Sequence, residues 1–422
     1  MAKTRDSVKI YNSIEFSISS YQHGFVKRTS RVANLLNFTN FFLKNVENKQ
    51  IVHVIYFDFC KAFDTVDHGL LMKKLYHQLE IPNYLLSIIC SYLTNRQQYV
   101  SYKGFNSRTF SVPSGVPQGS HLGPLLFVLF VIDLDAFIKH SCFSFYADDL
   151  KLFRTIMTQK DNDVLQSDIN NILKWAEINK LKLNVSKCQF MAYGRRSKCL
   201  ADCQYNVNGQ ILTPVETITD LGVTFESNLS FKKHIAAIVL KAQKNLGLTI
   251  RACAYFKNIT TFFALFNLYV RSILEYASVV WNCDGIIGET KSLEKVQNRF
   301  LRFVYYKAHG IYPNYSSHPV KTDDLRREFN CPKLSFRRKC LDEIFLYKLL
   351  NNKIDHPDLV SSITIHVPPR ATRSKGLFCI PIAKSKTYQN SPMERLMSSH
   401  NITGSIFPVH IYSMTPNKNL GS

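Results

Sequence analysis

The segment "SFYADDLKLF", residues 144–153, places two adjacent aspartates, Asp148 and Asp149, inside a run of aromatic and aliphatic residues. Such a run predicts two β-strands, and the acidic pair predicts the tight turn between them. Neighbouring carboxylates repel each other, and apolar surroundings raise the cost of ionising both. An isolated Asp-Asp turn is most often a solvated surface turn, so further features are needed to indicate a site.

A third aspartate, Asp58, supplies such a feature because it directly follows the apolar run "IVHVIYF", residues 51–57. That run is typical of a buried strand. Carboxylates that converge from separate strand ends need a cation, and Mg²⁺ prefers oxygen ligands together with substrate phosphates. We therefore expect Asp58, Asp148 and Asp149 to be metal ligands for two Mg²⁺ ions, with Mn²⁺ as an alternative, in an in-line phosphoryl transfer.

The remaining pattern up to residue 225 mixes helices and strands. Apolar residues recur at helical spacing over 68–93, and Pro82 divides them into two helices. A Pro-, Gly- and Ser-rich stretch predicts a loop over 111–124, and helices are expected over 125–138 and about 161–180. Alternation over 181–194 predicts a further strand pair. Together these elements predict an α+β fold.

Beyond about residue 226 the pattern is mostly helical. In the helix expected over 290–306, apolar residues fall on one face and four cations on the other. The cations are Lys291, Lys295, Arg299 and Arg302. Two interpretations remain open for this stripe: an ordinary solvated face, or contact with the phosphates of a nucleic acid.

The whole chain is strongly basic. It has 422 residues, with 53 Lys and Arg against 31 Asp and Glu, and a formal net charge of +22. Such an excess indicates a polyanionic partner, a nucleic acid or a membrane surface, although a merely basic surface is the alternative. The most apolar stretch, residues 122–132, is too short to span a bilayer, so we expect nucleic acid and no membrane partner. The eleven cysteines lack zinc-ligand spacing and are typical of an intracellular protein.

Four segments in a fixed order carry a resemblance to a known family. They are "FDFCKAFDTVDH" (57–68), "SGVPQGSHLGPLLF" (114–127), "FYADDLKLF" (145–153) and "LKLNVSKCQFMAYG" (181–194). In this order they resemble the successive palm motifs of reverse transcriptases from non-LTR retrotransposons, most closely the Jockey-like elements. "YQHGFVKRTS" (21–30) resembles a fingers motif, "TITDLGVTFESNLSFKKHI" (217–235) a primer-grip segment, and "LYVRSILEYASVVW" (268–281) a thumb helix.

The resemblance implies a right-hand polymerase fold with an antiparallel palm sheet carrying helices, truncated fingers and a helical thumb. The implied domains are a partial fingers and palm over 1–225, a thumb over 226–310 and a basic C-terminal extension over 311–422. The implied activity is RNA-directed DNA polymerase, with nucleotidyl transfer onto a primer 3′-hydroxyl. The implied partners are an RNA template, a DNA primer and deoxynucleoside triphosphates.

The resemblance also assigns roles to single residues. Asp58, Asp148 and Asp149 match the metal-binding carboxylates, with the Phe59 carbonyl as a further ligand, and Lys187 matches a lysine that neutralises or protonates the pyrophosphate. Phe63 matches an aromatic residue that packs on the sugar of the nucleotide and excludes a 2′-hydroxyl, and Gln118 and Gly119 match residues that line the nucleotide and template pocket. Plain core packing of Phe63 and a surface position for Lys187 remain the alternatives.

Some positions depart from the family pattern. Cys60 stands where serine is usual, Cys188 where threonine is usual, and His121 where an aliphatic residue is usual. The family also carries an upstream endonuclease domain and a first fingers motif, which we expect to be absent here because about twenty residues precede "QHGF". We expect a nuclear location for target-primed synthesis, or a cytoplasmic ribonucleoprotein.

Two other functional classes remain. The chain could be an inactive relic of a retroelement that only binds nucleic acid, which the intact aspartates disfavour and the truncated fingers favour. A maturase or telomerase-type relative is disfavoured because the segment after Trp281 resembles the Jockey-like tail.

Overall fold

The computed structural model describes residues 21–194, 203–282, 287–313, 320–366, 376–382 and 385–403. Contacts between Cα atoms divide the chain into two compact units. The first comprises the described residues up to Asn34 together with Asn48–Glu216, and the second comprises Leu35–Glu47 and the described residues from Thr217 onward. This division differs from the predicted boundary between residues 225 and 226, because the segment from Thr217 is grouped with the helices that follow it. The domain assignment itself stays a prediction.

The strands of the first unit are β1 (Ile51–Phe57), β2 (Gln97–Gln98), β3 (Ser101–Tyr102), β4 (Phe105–Asn106), β5 (Phe110–Ser111), β6 (Cys142–Tyr146), β7 (Asp149–Ile156), β8 (Gln189–Tyr193), β9 (Tyr205–Val207) and β10 (Gln210–Leu212). The main sheet has four antiparallel strands in the order β6-β7-β1-β8. The three smaller sheets each pair two short strands: β2 with β5, β3 with β4, and β9 with β10. The antiparallel sheet with its helices confirms the predicted α+β class.

The helices before residue 216 are α1 (Arg31–Glu47), α2 (Ala62–Thr65), α3 (His68–His77), α4 (Asn83–Leu93), α5 (Leu122–Phe130) and α6 (Gln159–Ile178). A 3₁₀-helix, Ile132–Phe137, follows α5. The division at Pro82 is confirmed, since Pro82 is the residue before the first turn of α4. Helix α5 begins earlier than expected, with Pro124 in its first turn, where its missing N–H costs no helical hydrogen bond.

Strand β1 lies between β7 and β8, which explains its composition. Every residue of Ile51–Phe57 except Tyr56 is buried. A central strand covered on both faces needs apolar side chains at successive positions rather than an alternating pattern. The prediction of a buried strand that ends at Asp58 is confirmed.

A partly buried ion pair joins the helices of the first unit. The Lys74 ammonium group lies 2.6 Å from Asp133 Oδ1 and also donates to the Phe130 carbonyl. The indole N–H of Trp175 donates to the same Asp133 oxygen at 2.9 Å. Because Lys74 and Trp175 share one carboxylate oxygen of Asp133, α3, the 3₁₀-helix and α6 are held in a fixed arrangement.

Asp168 holds the start of β6. This fully buried carboxylate on α6 accepts hydrogen bonds from the backbone N–H groups of Lys139, His140 and Ser141 at 2.7–3.0 Å. The three charge-assisted bonds fix the point at which the chain enters β6 and therefore the hairpin that follows.

The predicted strand pair over 181–194 is wrong. The segment contains a single 3₁₀ turn, Val185–Lys187, and one strand, β8. The Asn184 N–H donates to the Asp58 carbonyl at 2.7 Å, and Leu183 forms an isolated bridge with Phe59. These contacts with the residues after β1 take the place of a local hairpin.

The second unit is mostly helical, as predicted. It contains the hairpin of β11 (Thr217–Asp220) and β12 (Val223–Glu226) and the helices α7 (Lys232–Ala252), α8 (Ile259–Phe266), α9 (Ser272–Glu275), α10 (Ser278–Trp281), α11 (Ile287–His309), α12 (Thr322–Glu328), α13 (Leu334–Leu350), α14 (Pro357–Ser361), α15 (Lys386–Gln389) and α16 (Pro392–Thr403). Within this unit the β11–β12 hairpin is joined to α7. The Lys233 N–H donates to Glu226 at 3.0 Å, and the rings of Phe225 and Phe231 pack edge to face.

One segment of the second unit, Ile259–Trp281, has the length and mean hydropathy of a membrane span. A core helix of a soluble protein passes the same test. Phe262, Phe266, Val270 and Leu274 of this segment are buried within the protein.

Candidate active site

The three predicted carboxylates lie at one end of the main sheet. Phe57, the last residue of β1, pairs with Leu150 of β7, so Asp58 continues β1 at the end where Asp149 begins β7. Tyr146 pairs with Asp149, which leaves Ala147 and Asp148 as the two-residue loop of the hairpin. The antiparallel register therefore brings residues from distant parts of the sequence to the same edge.

The electrostatics of Asp148 reflect this arrangement. Burial raises the pKa of this half-buried carboxyl, and the charge of Asp58 raises it further, while its own backbone N–H has the opposite effect. Asp58 is thus close enough to Asp148 for their charges to interact, and a bound cation would relieve that repulsion. Asp149 is exposed.

The carboxylates at this edge supply only part of the ligands that a metal ion takes. Throughout the described residues, no group of three or more His, Cys, Asp or Glu side chains is gathered closely enough to hold a metal ion. The three aspartates therefore do not form a closed cage by themselves. Mg²⁺ commonly takes one or two carboxylates and fills its remaining positions with phosphate oxygens and water, and the pair of Asp58 and Asp148 meets that need.

Lys187 lies beside these carboxylates. Its ammonium nitrogen is 3.6 Å from Asp58 Oδ2, and about two thirds of its side chain is exposed. The 3₁₀ turn that carries it is fixed to Asp58 through the Asn184 N–H. An exposed pair of this kind contributes little to stability, so Lys187 can exchange Asp58 for another anion at small cost.

Backbone hydrogen bonds fix the chain around Phe59. The Cys60 N–H donates to the Lys182 carbonyl, and the Asn184 N–H donates to the Asp58 carbonyl, both at 2.7 Å. These two bonds flank Phe59 in its bridge with Leu183 and leave the Phe59 carbonyl out of the bridge. The Phe59 side chain is buried.

Phe63 is partly buried against the core and partly accessible. Its ring stacks on Phe127 of α5 with centroids 4.4 Å apart and an interplanar angle of 23°, and it meets Phe25 edge to face at 6.0 Å. Both contacts restrict the ring to one orientation. The Phe63 ring therefore packs against the core on one side and keeps an accessible face, in a fixed orientation, on the other.

The loop that carries Gln118 and Gly119 is fixed to the segment after β1. The Val116 N–H donates to the Phe63 carbonyl at 2.7 Å, and the Gln118 amide donates to Asp64 Oδ1 at 2.8 Å. Position 115 requires a glycine for two reasons. Its φ of +86° is unfavourable for other residues, and a Cβ there would lie 2.7 Å from the Asp64 backbone. Gln118 and Gly119 are both exposed.

A cavity of about 600 Å³ lies along this loop. Lys61, Asp64, Arg96 and Gln118 line it together with parts of β2 and β5. Asp64 and Arg96 were not predicted as site residues. No local sequence pattern marks Asp64 as a site residue, because its contact is with Gln118, fifty-four positions later.

The departures from the family pattern are accommodated. Cys188 is buried next to the site, where burial raises the pKa of its thiol. His121 is exposed at the start of α5, so its side chain does not disturb the core beside the loop.

In the second unit, α11 carries the four predicted cations on its exposed face. Lys291, Lys295, Arg299 and Arg302 are exposed, whereas Leu293, Val296, Phe300, Phe303 and Val304 are buried. Glu294 pairs with Arg326 at 3.4 Å and receives the Ser335 N–H, so it does not neutralise the stripe. The amphipathic interpretation of this helix is confirmed.

Known proteins are similar to this chain over its first half and beyond. The family profile described as reverse transcriptase (RNA-dependent DNA polymerase) matches residues 4–225. The RNA-directed DNA polymerase from mobile element jockey of Drosophila melanogaster is 29% identical over 234 residues, which is 53% of this chain and 25% of that protein. The probable RNA-directed DNA polymerase from transposon BS of the same species is 24% identical over 322 residues, 72% of this chain and 35% of that protein.

The chain thus spans about a quarter to a third of the length of these curated relatives. Among solved structures, apo telomerase from Candida tropicalis matches 85% of this chain and 53% of its own chain at 12% identity. The TM-score of that match is 0.40, too low to establish a shared fold.

Proposed function

Because the chain belongs to the reverse transcriptase (RNA-dependent DNA polymerase) family, we propose that it is the RNA-directed DNA polymerase of a Jockey-like non-LTR retrotransposon. The observation that carries the proposal is the meeting of Asp58 with the Asp148–Asp149 turn at one end of the antiparallel sheet, within the residues that match the family. The sheet and the family together support a right-hand polymerase fold. Family membership implies a need for a divalent metal.

Asp58, Asp148 and Asp149 would hold two Mg²⁺ ions, with the Phe59 carbonyl as a further ligand. When bound, such ions supply activation of the primer 3′-hydroxyl and charge stabilisation at the leaving phosphate. Asp148 must be ionised to act as a ligand, and because burial and the charge of Asp58 raise its pKa, a bound cation would favour its ionised form. The exposed Lys187, 3.6 Å from Asp58, then turns to the pyrophosphate and supplies a positive charge or a proton.

The incoming deoxynucleoside triphosphate occupies the space between the carboxylates, Phe63 and the Gln118 loop. The ring of Phe63 is fixed by Phe127, so it cannot move aside for a 2′-hydroxyl. Gln118 and Gly119 face solvent beside a cavity large enough for part of a nucleotide or template base. These features support selection of deoxynucleotides.

The nucleic-acid partners are an RNA template and a DNA primer. The exposed cations of α11 provide contacts to phosphates, and the net charge of +22 supports attraction of a hybrid over longer distances. Synthesis primed by chromosomal DNA would take place in the nucleus.

Primer extension tests this function. The purified chain is given an RNA template, a DNA primer, deoxynucleotides and Mg²⁺. We expect incorporation by the wild type, none above background by Asp148→Asn, and wild-type incorporation by Asp163→Asn, which alters an exposed acid on α6. If the wild type binds the hybrid but incorporates nothing, the enzyme proposal is wrong and the inactive nucleic-acid-binding relic is correct.

A further inference from the structure

A segment far upstream of the aspartates lies directly beside their hairpin. Gln22 forms a parallel bridge with Phe145 of β6. The Phe145 N–H donates to the Tyr21 carbonyl at 3.0 Å, and the His23 N–H donates to the Phe145 carbonyl at 2.9 Å. Residues 21–23 therefore extend the edge of the main sheet next to the strand that leads into the aspartate turn.

The side chain of Gln22 continues from this bridge to the turn itself. It is 6% exposed, and its Oε1 accepts the N–H of Ala147 at 3.1 Å and the N–H of Gly24 at 2.8 Å. Both donors are backbone N–H groups, so the amide must present its oxygen to them. Gln22 thus supplies the Ala147 N–H, the group immediately before Asp148, with a buried acceptor.

The turn that receives this bond has an unfavourable backbone conformation. Ala147 has φ +59°, in the left-handed region, and type II′ hairpin loops prefer glycine at this first position. A non-glycine residue there is strained and persists only where surrounding contacts fix it. The hydrogen bond from the Ala147 N–H to Gln22 is such a contact, because it fixes the backbone of the turn.

Gly24 closes the other side of the same contact. A Cβ at this position would lie 2.1 Å from the Ala147 nitrogen and 2.8 Å from its Cα. Only a glycine lets the two backbones approach this closely.

A buried polar network anchors the hairpin behind the segment. Asn34 donates to Ser144 Oγ at 2.7 Å and to the Phe145 carbonyl at 3.2 Å, and it accepts from the Lys151 ammonium group at 2.8 Å. The hairpin is thereby fixed on both strands, β6 and β7, and Gln22 adds a contact at the turn itself.

We propose that Gln22 is a positioning residue of the polymerase site, which acts through the Ala147 N–H to hold the aspartate turn in the orientation that catalysis needs. This inference rests on the proposed function for its kinetic consequence, but the contact itself can be measured without activity. The Gln22 side chain would act through the backbone N–H groups of Ala147 and Gly24 rather than on the substrate. Its contribution is to keep Asp148 opposite Asp58.

The kinetic test compares Gln22→Met, which keeps the length of the side chain but removes the acceptor, with Gln22→Glu, which keeps an acceptor oxygen. We expect Gln22→Met to lower kcat for single-nucleotide incorporation by roughly 10- to 100-fold, because a small displacement of a reacting group is costly. The Kd for the hybrid should not change, and Gln22→Glu should retain more of the wild-type kcat than Gln22→Met. Equal losses in the two variants would overturn the positioning role.

Gln166→Met is the matched control. Gln166 on α6 also accepts a backbone N–H, that of Asn206 at 2.9 Å, but lies on a different element from the turn. This variant should lose no more than twofold in kcat, by analogy with substitutions outside a site. A loss as large as that of Gln22→Met would show that the effect is general destabilisation and would overturn the proposal.

Amide hydrogen exchange of a peptide that spans residues 144–150 tests the contact independently of catalysis. We expect the Ala147 amide to be protected in the wild type. In Gln22→Met we expect that one amide to exchange at least tenfold faster, while the thermal unfolding midpoint stays close to that of Gln166→Met. Unchanged exchange would overturn the inference. A wild type that incorporates no nucleotide would contradict the proposed function, and the exchange measurement would still decide whether Gln22 holds the turn.

Discussion

At the scale of the residue, the site contains some side chains that can be predicted from the sequence and others that cannot. Asp58, Asp148 and Asp149 could be predicted because each lies at a strand end and the apolar flanks mark the strands. Gln22 could not, since its contact with Ala147 joins residues 125 positions apart and depends on the backbone conformation of the turn. The sequence around a polar residue that binds a distant backbone N–H contains no local pattern from which that contact could be predicted.

Replacement of Phe63 by valine should relax discrimination against ribonucleotides. The rigid ring stacked on Phe127 is expected to occupy the space that a 2′-hydroxyl needs, so its removal should lower the ratio of kcat/KM for deoxynucleotides over ribonucleotides by about 10- to 100-fold. Single-nucleotide incorporation with matched deoxy- and ribonucleotides measures this ratio. Phe105→Val, at an exposed aromatic residue on β4, serves as control, and an unchanged ratio in Phe63→Val would refute the steric role.

Asp148→Asn should stabilise the metal-free protein while it abolishes catalysis. The pKa of Asp148 is raised in the folded state by burial and by Asp58, so folding is penalised at pH values above that raised pKa, where Asp148 must ionise. Below the pKa of the unfolded state the carboxyl is protonated in both states and the penalty disappears. Thermal unfolding at neutral pH should therefore show a higher midpoint for Asp148→Asn, by roughly 2–4 °C for each kcal/mol relieved.

The difference between the two proteins should shrink as the pH is lowered through the raised pKa. Asp163→Asn, which alters an exposed acid on α6, should show no such pH-dependent gain. A lower midpoint for Asp148→Asn at neutral pH would mean that the ionised carboxyl is stabilised rather than penalised in the fold.

At the scale of the element, long periodic segments were predictable and short alternating ones were not. The helices α3, α4, α6 and α11 follow from apolar spacing and from Pro82, because each buries one continuous face. The alternation over 181–194 was misleading, since Leu183 and Asn184 pair with the residues after β1 and not with β8. A pairing partner over a hundred residues away cannot be identified from a local period.

Helix α11 should contribute to binding in proportion to its exposed cations. Lys291→Gln with Lys295→Gln removes two exposed charges, so the slope of log K against log salt concentration for an RNA–DNA hybrid should become shallower by about 2 if both contact phosphates. Fluorescence anisotropy over a salt series measures this slope.

The matched control for α11 removes two exposed lysines of the first unit, Lys73→Gln with Lys160→Gln. Both double variants lose the same net charge, so the general attraction for a polyanion falls equally. If the two slopes are the same, the cations of α11 form an ordinary solvated face.

At the scale of the whole molecule, attraction for nucleic acid and chemistry on it depend on different features. Attraction of a polyanion by the net charge of +22 involves no metal. In the proposed function, by contrast, nucleotide transfer depends on Asp58 and Asp148, whose like charges a bound cation would neutralise. The class α+β could be read from the order of the elements, but the edge at which the acids meet depends on the order β6-β7-β1-β8, which the sequence does not state.

Removal of divalent ions should therefore separate the two properties. With EDTA in excess we expect incorporation to fall to background, while the Kd for an RNA–DNA hybrid at fixed ionic strength changes by less than about threefold. Parallel primer-extension and anisotropy measurements check both, and added Mg²⁺ should restore incorporation. Loss of binding together with activity would show that the metal organises the binding surface and not only the chemistry.

The contact between Gln22 and Ala147 also has a consequence for the time order of folding. During synthesis Gln22 leaves the ribosome 125 residues before the turn that it holds, which at about 5–20 residues per second is roughly 6–25 s. For that interval the Gln22 amide has no turn to bind. The backbone of residues 21–23 likewise has no β6 strand with which to form hydrogen bonds. The aspartate turn is thus completed by an early part of the nascent chain that must remain available until β6 and β7 have formed.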